Sequence, residues 1–219
     1  IDAEAVKSAF VKHPDAKFLS IVHAETSTGV KNDVQKLAQI GKNNGALVIV
    51  DAVTALGAIP LKVDEWGIDA IYSCSQKGLG SVPGMSPVTF SEAAFEKVKN
   101  RKSPVTSWFQ DICIYDAYWQ NAAKRPYHHT APSQQYYSIL AALRHIKSVG
   151  IEQLWDQHQE VHQYFAQEME NRGWKFFVSA ENRLPQLNTV LLPESFDDMT
   201  NRSLLRSKFN IEVGGGLGA

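Results

Sequence analysis

The chain has 219 residues, 44% of them hydrophobic and 21% charged, with a formal net charge of -1, a profile that suits a globular protein with one good core or about one and a half domains. No basic run accompanies that balanced charge, which argues against a nucleic-acid partner, and no apolar stretch approaches the roughly 18 residues needed to cross a bilayer. No signal-peptide pattern opens the sequence, and its two cysteines, Cys74 and Cys113, cannot build a disulfide framework, so a soluble intracellular protein is expected, with both thiols acting as small buried hydrophobes.

The first predicted element is a helix over residues 2–11, where Ala5, Val6, Ala9 and Phe10 recur at helical spacing until Pro14 ends it. Residues 17–23 (KFLSIVH) read as a strand that empties into the loop Glu25, Thr26, Ser27, Thr28, Gly29. Asp33 opens the next helix, with Val34, Leu37, Ala38 and Ile40 on its inner face and Gly41 and Gly45 at its exit. The apolar run 46–50 (ALVIV) then fits a buried parallel strand with Asp51 at its carboxyl end. Strand, helix and strand together take about the thirty residues of a right-handed crossover.

Residues 68–73 supply a third strand after another short crossover punctuated by Pro60 and Gly67. A fourth, residues 87–90, follows across a turn holding Gly78, Gly80, Pro83 and Gly84; the gap is too short for a helical crossover, so this strand is expected to run antiparallel in a mixed sheet. Ser91 caps a helix through Val98. Residues 100–132 gather Trp108, Phe109, Tyr115, Tyr118, Trp119 and Tyr127, which read either as a core stripe on a short helix over residues 111–119 or as a dimer interface. Two long helices follow, 133–148 and 151–171, broken at Gly150. Strands at 175–178 and 187–192 and a helix over 199–209 then look like the start of a smaller α+β domain. The expected division is 1–150 for a large domain and 151–219 for part of a small one.

The chemistry concentrates where two of these strands end. Asp51 and Lys77 both follow apolar strands, at the edge where open α/β sheets bind ligands. An acid paired with a lysine is what pyridoxal phosphate (PLP) requires: an amine for a Schiff base and a partner for the pyridinium nitrogen. Spacing alone leaves Lys77 readable as a surface lysine and Asp51 as a turn cap.

Four ordered motifs point further: HAETSTG at 23–29, VDAVTALG at 50–57, YSCSQKGLG at 72–80 and YHHTAP at 127–132. Together they resemble the alanine-glyoxylate and serine-pyruvate aminotransferases, class V PLP enzymes of fold type I, and the likeness runs over nearly the whole chain. The resemblance implies a mixed, mostly parallel sheet with flanking helices and the start of a smaller α+β domain. It implies Lys77 as the amine that anchors PLP as an internal aldimine and then carries the substrate's α-proton, and Asp51 as the partner of the ring nitrogen. It places Val53 against one ring face, Gln76 on the phosphate, and Thr26, where relatives often carry serine, on the ring or its phenolic oxygen. Tyr127 and Thr130 match positions that reach the phosphate from the other subunit, which implies a homodimer.

The implied reaction moves an amino group from alanine or serine to a 2-oxo acid such as glyoxylate or pyruvate. A PLP lyase or desulfurase would use the same lysine and aspartate; a desulfurase needs a mobile cysteine, and Cys74, three residues before Lys77 and expected in the strand, disfavours it. A non-catalytic fragment or pseudoenzyme is the reading from another class. The chain starts at Ile1 and stops in the glycine-rich EVGGGLGA, so it is expected to be cut at both ends, without the phosphate loop and the carboxylate-binding arginine of such enzymes, and inactive alone. No metal is expected at His128 and His129, because neighbouring histidines on a regular element point apart and no acid or thiol cluster accompanies them.

Overall fold

The computed structural model describes residues 1–120 and 126–216; the last residues of the glycine-rich stretch lie outside them. Helix α1 (Ala3–Lys12) begins where the Asp2 carboxylate accepts the Glu4 amide, and it leads into strand β1 (Phe18–Val22). A two-residue hairpin, β2 (Ala24–Glu25) with β3 (Val30–Lys31), carries the loop expected after that strand. Helix α2 (Val34–Asn43) starts at Asp33, whose side chain accepts from Lys36 N, and strand β4 (Leu47–Asp51) follows. Gly41 was expected at the helix exit but lies inside α2. A Cβ there would sit 3.0 Å from both the Leu19 and Val48 side chains, so the glycine lets the helix lie close on the sheet.

The third strand, β5 (Ala70–Tyr72), runs parallel to β4, which runs parallel to β1. The fourth, β6 (Val88–Phe90), pairs antiparallel with β5, as the short gap demanded. The order across the sheet is β1-β4-β5-β6. Along β4 the side chains alternate: Val48 and Val50 are fully buried toward α1 and α2, while Leu47, Ile49 and Asp51 stand half-buried on the other face. The core joins those valines to Leu37, Ala38, Ile21 and Ile71.

Helix α3 (Glu92–Lys99) is capped by Ser91, whose Oγ accepts from Ala94 N at 3.1 Å. Beyond it come helix α4 (Ile112–Gln120), then α5 (Ser133–Val149) and α6 (Ile151–Asn171), which meet at Gly150 with φ of 99° and pack on one another. A second hairpin, β7 (Lys175–Phe176) with β8 (Val190–Leu191), and helix α7 (Asp198–Phe209) complete the described chain. The strand expected over 187–192 is therefore shorter, because the segment before β8 has another task. Leu184, 0% exposed, belongs to the main core, its amide donates to Gly29 O at 2.9 Å, and Leu187 packs against the same cluster. No described helix is long and apolar enough to cross a membrane.

Further expectations change. The aromatic residues of α4 are not a core stripe, since no residue of that helix is buried. They gather instead around His128, 1% exposed, which stacks on Trp108 at 4.2 Å and lies 4.3 Å from the Tyr115 ring, while Trp108 and Trp119 keep large exposed surfaces. His128 and His129 do not point apart: the segment carrying them is irregular, and their Nδ1 atoms lie 2.8 Å from one another. Of the two thiols, Cys74 is buried and Cys113 only half-buried.

The amino-terminal ends of β4 and β5 are tied by Asp69, a carboxylate 3% exposed. It accepts from Lys42 Nζ at 2.8 and 2.9 Å, from Val48 N at 2.8 Å and from Ser91 Oγ at 2.9 Å, joining α2, β4 and the start of α3. Burial pushes this carboxyl up, but the Lys42, Val48 and Ser91 hydrogen bonds and the lysine charge outweigh it and hold it below the usual range. Asp69→Ala leaves those donors without their acceptor and is expected to cost about 3 kcal/mol in urea unfolding. Because the folded-state value is depressed, the stabilisation is complete above about pH 4 and fades as the pH falls through the folded value, a loss the alanine variant should not show.

His23, immediately after β1, is buried with its edge on Trp66 at 5.8 Å, and its Nδ1 has no hydrogen-bond partner among the described residues. Burial first, and the Lys31 charge second, push its pKa down to about 4 against a weaker pull from Asp33. The unfolded chain therefore binds a proton between pH 6.5 and 4 that the folded chain refuses. Stability is expected to fall by about 3 kcal/mol over that window on acidification, at ~1.4 kcal/mol per unit; urea titrations at stepped pH should show the slope, and His23→Gln should flatten it.

Candidate active site

Parallel pairing brings the residues singled out by sequence to one edge. Val22, Asp51 and Tyr72 are in register at the carboxyl ends of β1, β4 and β5, so the loops that leave those strands carry Thr26, then Val53, then Gln76 and Lys77. This is the crevice side of an open α/β sheet.

Asp51 is held on both oxygens. Its Oδ1 accepts the Val53 amide at 2.9 Å, and its Oδ2 accepts the Tyr72 hydroxyl at 2.7 Å. Each oxygen keeps a lone pair for a further donor. Tyr72 is pushed above the ordinary phenol value, first by that hydrogen bond and then by burial and the Asp51 charge, so it stays a protonated donor near neutral pH. Sequence reading passed over Tyr72, although it opens the YSCSQKGLG motif; only the strand register shows that it faces the aspartate.

The lysine loop is anchored from below. Ser75, 0% exposed, donates from Oγ to Val82 O at 2.6 Å and accepts the Met85 amide at 3.3 Å, while its own amide donates to Met85 O at 3.0 Å. Two residues on, Lys77 is exposed, and its amine makes no hydrogen bond or ion pair among the described residues. Gln76 beside it is also exposed. A fixed, buried serine thus stands two residues before a free amine.

The lysine loop is also stitched to the aspartate loop. Ser73 Oγ donates to Ala52 O at 2.9 Å, and Cys74 Sγ points at Val53 O at 3.8 Å. Cys74 thus lies past β5 and not within it, buried at 8% exposure. Gly57, with φ of +86°, and Gly78 approach so closely that a Cβ on the first would stand 2.6 Å from Gly78 O.

Thr26 is half-buried, and its Oγ1 lies 2.5 Å from Thr54 Oγ1. Gln186 reaches the same loop from 132 residues away and donates from Nε2 to Thr54 O at 2.9 Å. Neither Thr54 nor Gln186 was picked out by sequence; Thr54 stands in the VDAVTALG motif, but nothing local signals Gln186. Tyr127 and Thr130 pair with one another at 2.5 Å beside the His128 aromatic cluster, and no hydrogen bond among the described residues ties them to the sheet edge. The donor set at that edge fits PLP: a fixed carboxylate with spare lone pairs, an unpaired amine, a valine on the aspartate loop, and the Thr26 and Gln76 polar groups.

The chain resembles known proteins along its whole length. The family model for aminotransferase class-V matches residues 1–218. An alanine-glyoxylate aminotransferase of Mus musculus is 34% identical over 98% of this chain and 52% of its own length, and one of Drosophila melanogaster is 33% identical over 98% and 55%. The solved alanine-glyoxylate aminotransferase of Nostoc sp. superposes with a TM-score of 0.91 at 41% identity, over all of this chain and 57% of that one. The ureidoglycine-glyoxylate aminotransferase of Bacillus subtilis gives 0.92 at 29% identity, over all of this chain and 56% of that one. The chain spans about half the length of the curated relatives it matches, and its architecture is that of the fold-type I PLP-dependent aminotransferases. The chain therefore belongs to the class V aminotransferase family.

Proposed function

We propose that the protein moves an amino group between an amino acid and a 2-oxo acid with PLP as cofactor. The observation that carries this reading is the unpaired Lys77 amine, two residues after the anchored Ser75 on a loop stitched to that of the doubly held Asp51 carboxylate. When bound, the cofactor supplies an electron sink for charge released at the substrate's α-carbon. Lys77 would hold it covalently through Nζ and, once displaced by the substrate amine, would move the proton from that carbon.

Asp51 would accept a hydrogen bond from the ring nitrogen on a lone pair left free by Val53 and Tyr72, and its charge keeps that nitrogen protonated. Val53 would bear on one ring face, Thr26 would donate to the ring or its phenolic oxygen, and Gln76 would donate to the phosphate. In a homodimer Tyr127 and Thr130 of one protomer would complete the phosphate site of the other; the exposure of Tyr127, at 73%, leaves it free to do so. Residues 1–150 would form the cofactor-binding domain and residues 151–219 part of a smaller one.

Alanine or serine as donor and glyoxylate or pyruvate as acceptor are the substrates this reading favours. Relatives at 41% and 29% identity differ in the donor they are named for but share glyoxylate, which supports glyoxylate first. A desulfurase reading is disfavoured because Cys74 is buried and turned toward Val53 O.

Assays of the full-length protein with PLP, alanine and glyoxylate test the assignment. Lys77→Ala is expected to lose the visible band of the bound cofactor and nearly all turnover, with a melting temperature close to that of the wild type; an unchanged band removes Lys77 from the mechanism. Asp51→Asn is expected to retain cofactor while kcat falls by roughly 10²–10⁴, the size of a lost charge effect in the transition state. Near-normal turnover in that variant overturns the ring-nitrogen role.

A further inference from the structure

We propose that Thr54 is a positioning residue that fixes the direction in which the Thr26 hydroxyl donates; the inference rests on the cofactor reading above. Thr54 is 5% exposed, three residues after Asp51, and its Oγ1 lies 2.5 Å from Thr26 Oγ1 on the neighbouring loop. A pair of hydroxyls holds two protons, and the contact between them uses one.

Which proton is used follows from burial. If Thr26 donated inward, the Thr54 proton would need another acceptor, and Thr54 Oγ1 has no second hydrogen-bond partner among the described residues. An unsatisfied buried donor is strongly disfavoured. If Thr54 donates to Thr26, the buried hydroxyl is satisfied and the half-buried Thr26 keeps its own proton for an acceptor on the open side of the edge. The second arrangement wins, and it turns a freely rotating hydroxyl into an aimed donor.

The geometry holds that aim from two sides. Thr54 is β-branched, so few χ1 rotamers are open to it. Its carbonyl accepts from Gln186 Nε2 at 2.9 Å, and the neighbouring Val53 amide is spent on Asp51. One short run, residues 51–54, therefore sets both the carboxylate that would meet the ring nitrogen and the donor that would meet the ring oxygen.

A donor aimed at the phenolic oxygen draws electron density from the bound chromophore and lowers the pH at which that chromophore loses its proton. The test is a spectroscopic pH titration of the full-length protein loaded with PLP, in wild type, Thr54→Val, Thr54→Ala, Thr54→Ser and Thr26→Val. Removal of the Thr54 hydroxyl by valine or alanine is expected to raise the midpoint by roughly half a pH unit or more, the size of one weakened hydrogen bond. Thr54→Ser should return it to the wild-type value, and Thr26→Val should raise it at least as far as Thr54→Val. A wild-type midpoint in both Thr54→Val and Thr54→Ala overturns the proposal, as does a raised midpoint that serine fails to restore. The alanine variant serves if valine does not fold. Absence of a visible band in the wild type would instead overturn the cofactor reading, so the two failures are told apart.

Discussion

The contact on which the site depends is the approach of two glycine backbones, Gly57 and Gly78. Asp51 and Lys77 belong to loops that leave adjacent parallel strands, and strand pairing itself does not hold the two loops together. With a side chain at either glycine, Leu56, Ala58 and the backbone of residue 78 would have to separate. Without one, the turn after Asp51 lies directly on the residue that follows Lys77. The Ser73 and Cys74 contacts to Ala52 and Val53 then close the seam. The amine and the carboxylate keep a fixed separation because the chain between them is pressed together, not because they touch.

The two ends of the same sheet solve different problems. At the amino-terminal end, Asp69 is buried with two hydrogen bonds on each oxygen, which makes it a structural tie among α2, β4 and α3. At the carboxyl-terminal end, Asp51 is only half-buried and has lone pairs to spare. Two aspartates near the same strands thus differ by how completely the fold satisfies them. The incompletely satisfied one is the acceptor proposed for the cofactor's ring nitrogen.

Much of this was legible in the sequence because it is local. The α2 stripe Val34, Leu37, Ala38 and Ile40, the Asp33 and Ser91 caps, the apolar run ending at Asp51 and the short gap before β6 each state their own geometry. Val53, Gln76 and Lys77 could be named because they sit in motifs that run along the chain. What stayed hidden needs pairs distant in sequence: Tyr72 faces Asp51 only through strand register, Thr54 meets Thr26 across 28 positions, and Gln186 meets Thr54 across 132. The aromatic stretch misled for the opposite reason. Its residues have the composition of a core, but they assemble around a single buried histidine and leave their outer faces open.

The contact from Gln186 to Thr54, with Leu184 seated in the main core beside it, has a bearing on how the chain folds. The sheet and its two covering helices are built from the first hundred residues, yet the aspartate loop is fastened by a segment made much later. Loop-closure entropy grows only slowly with length, so the distance in sequence costs little stability at equilibrium. It costs time, since contacts of such long separation form late. During synthesis the strands, α2 and the Gly57–Gly78 seam can assemble first, and the Thr54 turn gains its Gln186 tie only after residue 186 has left the ribosome. The Thr54 turn is thus the last part of the aspartate loop to be tied down.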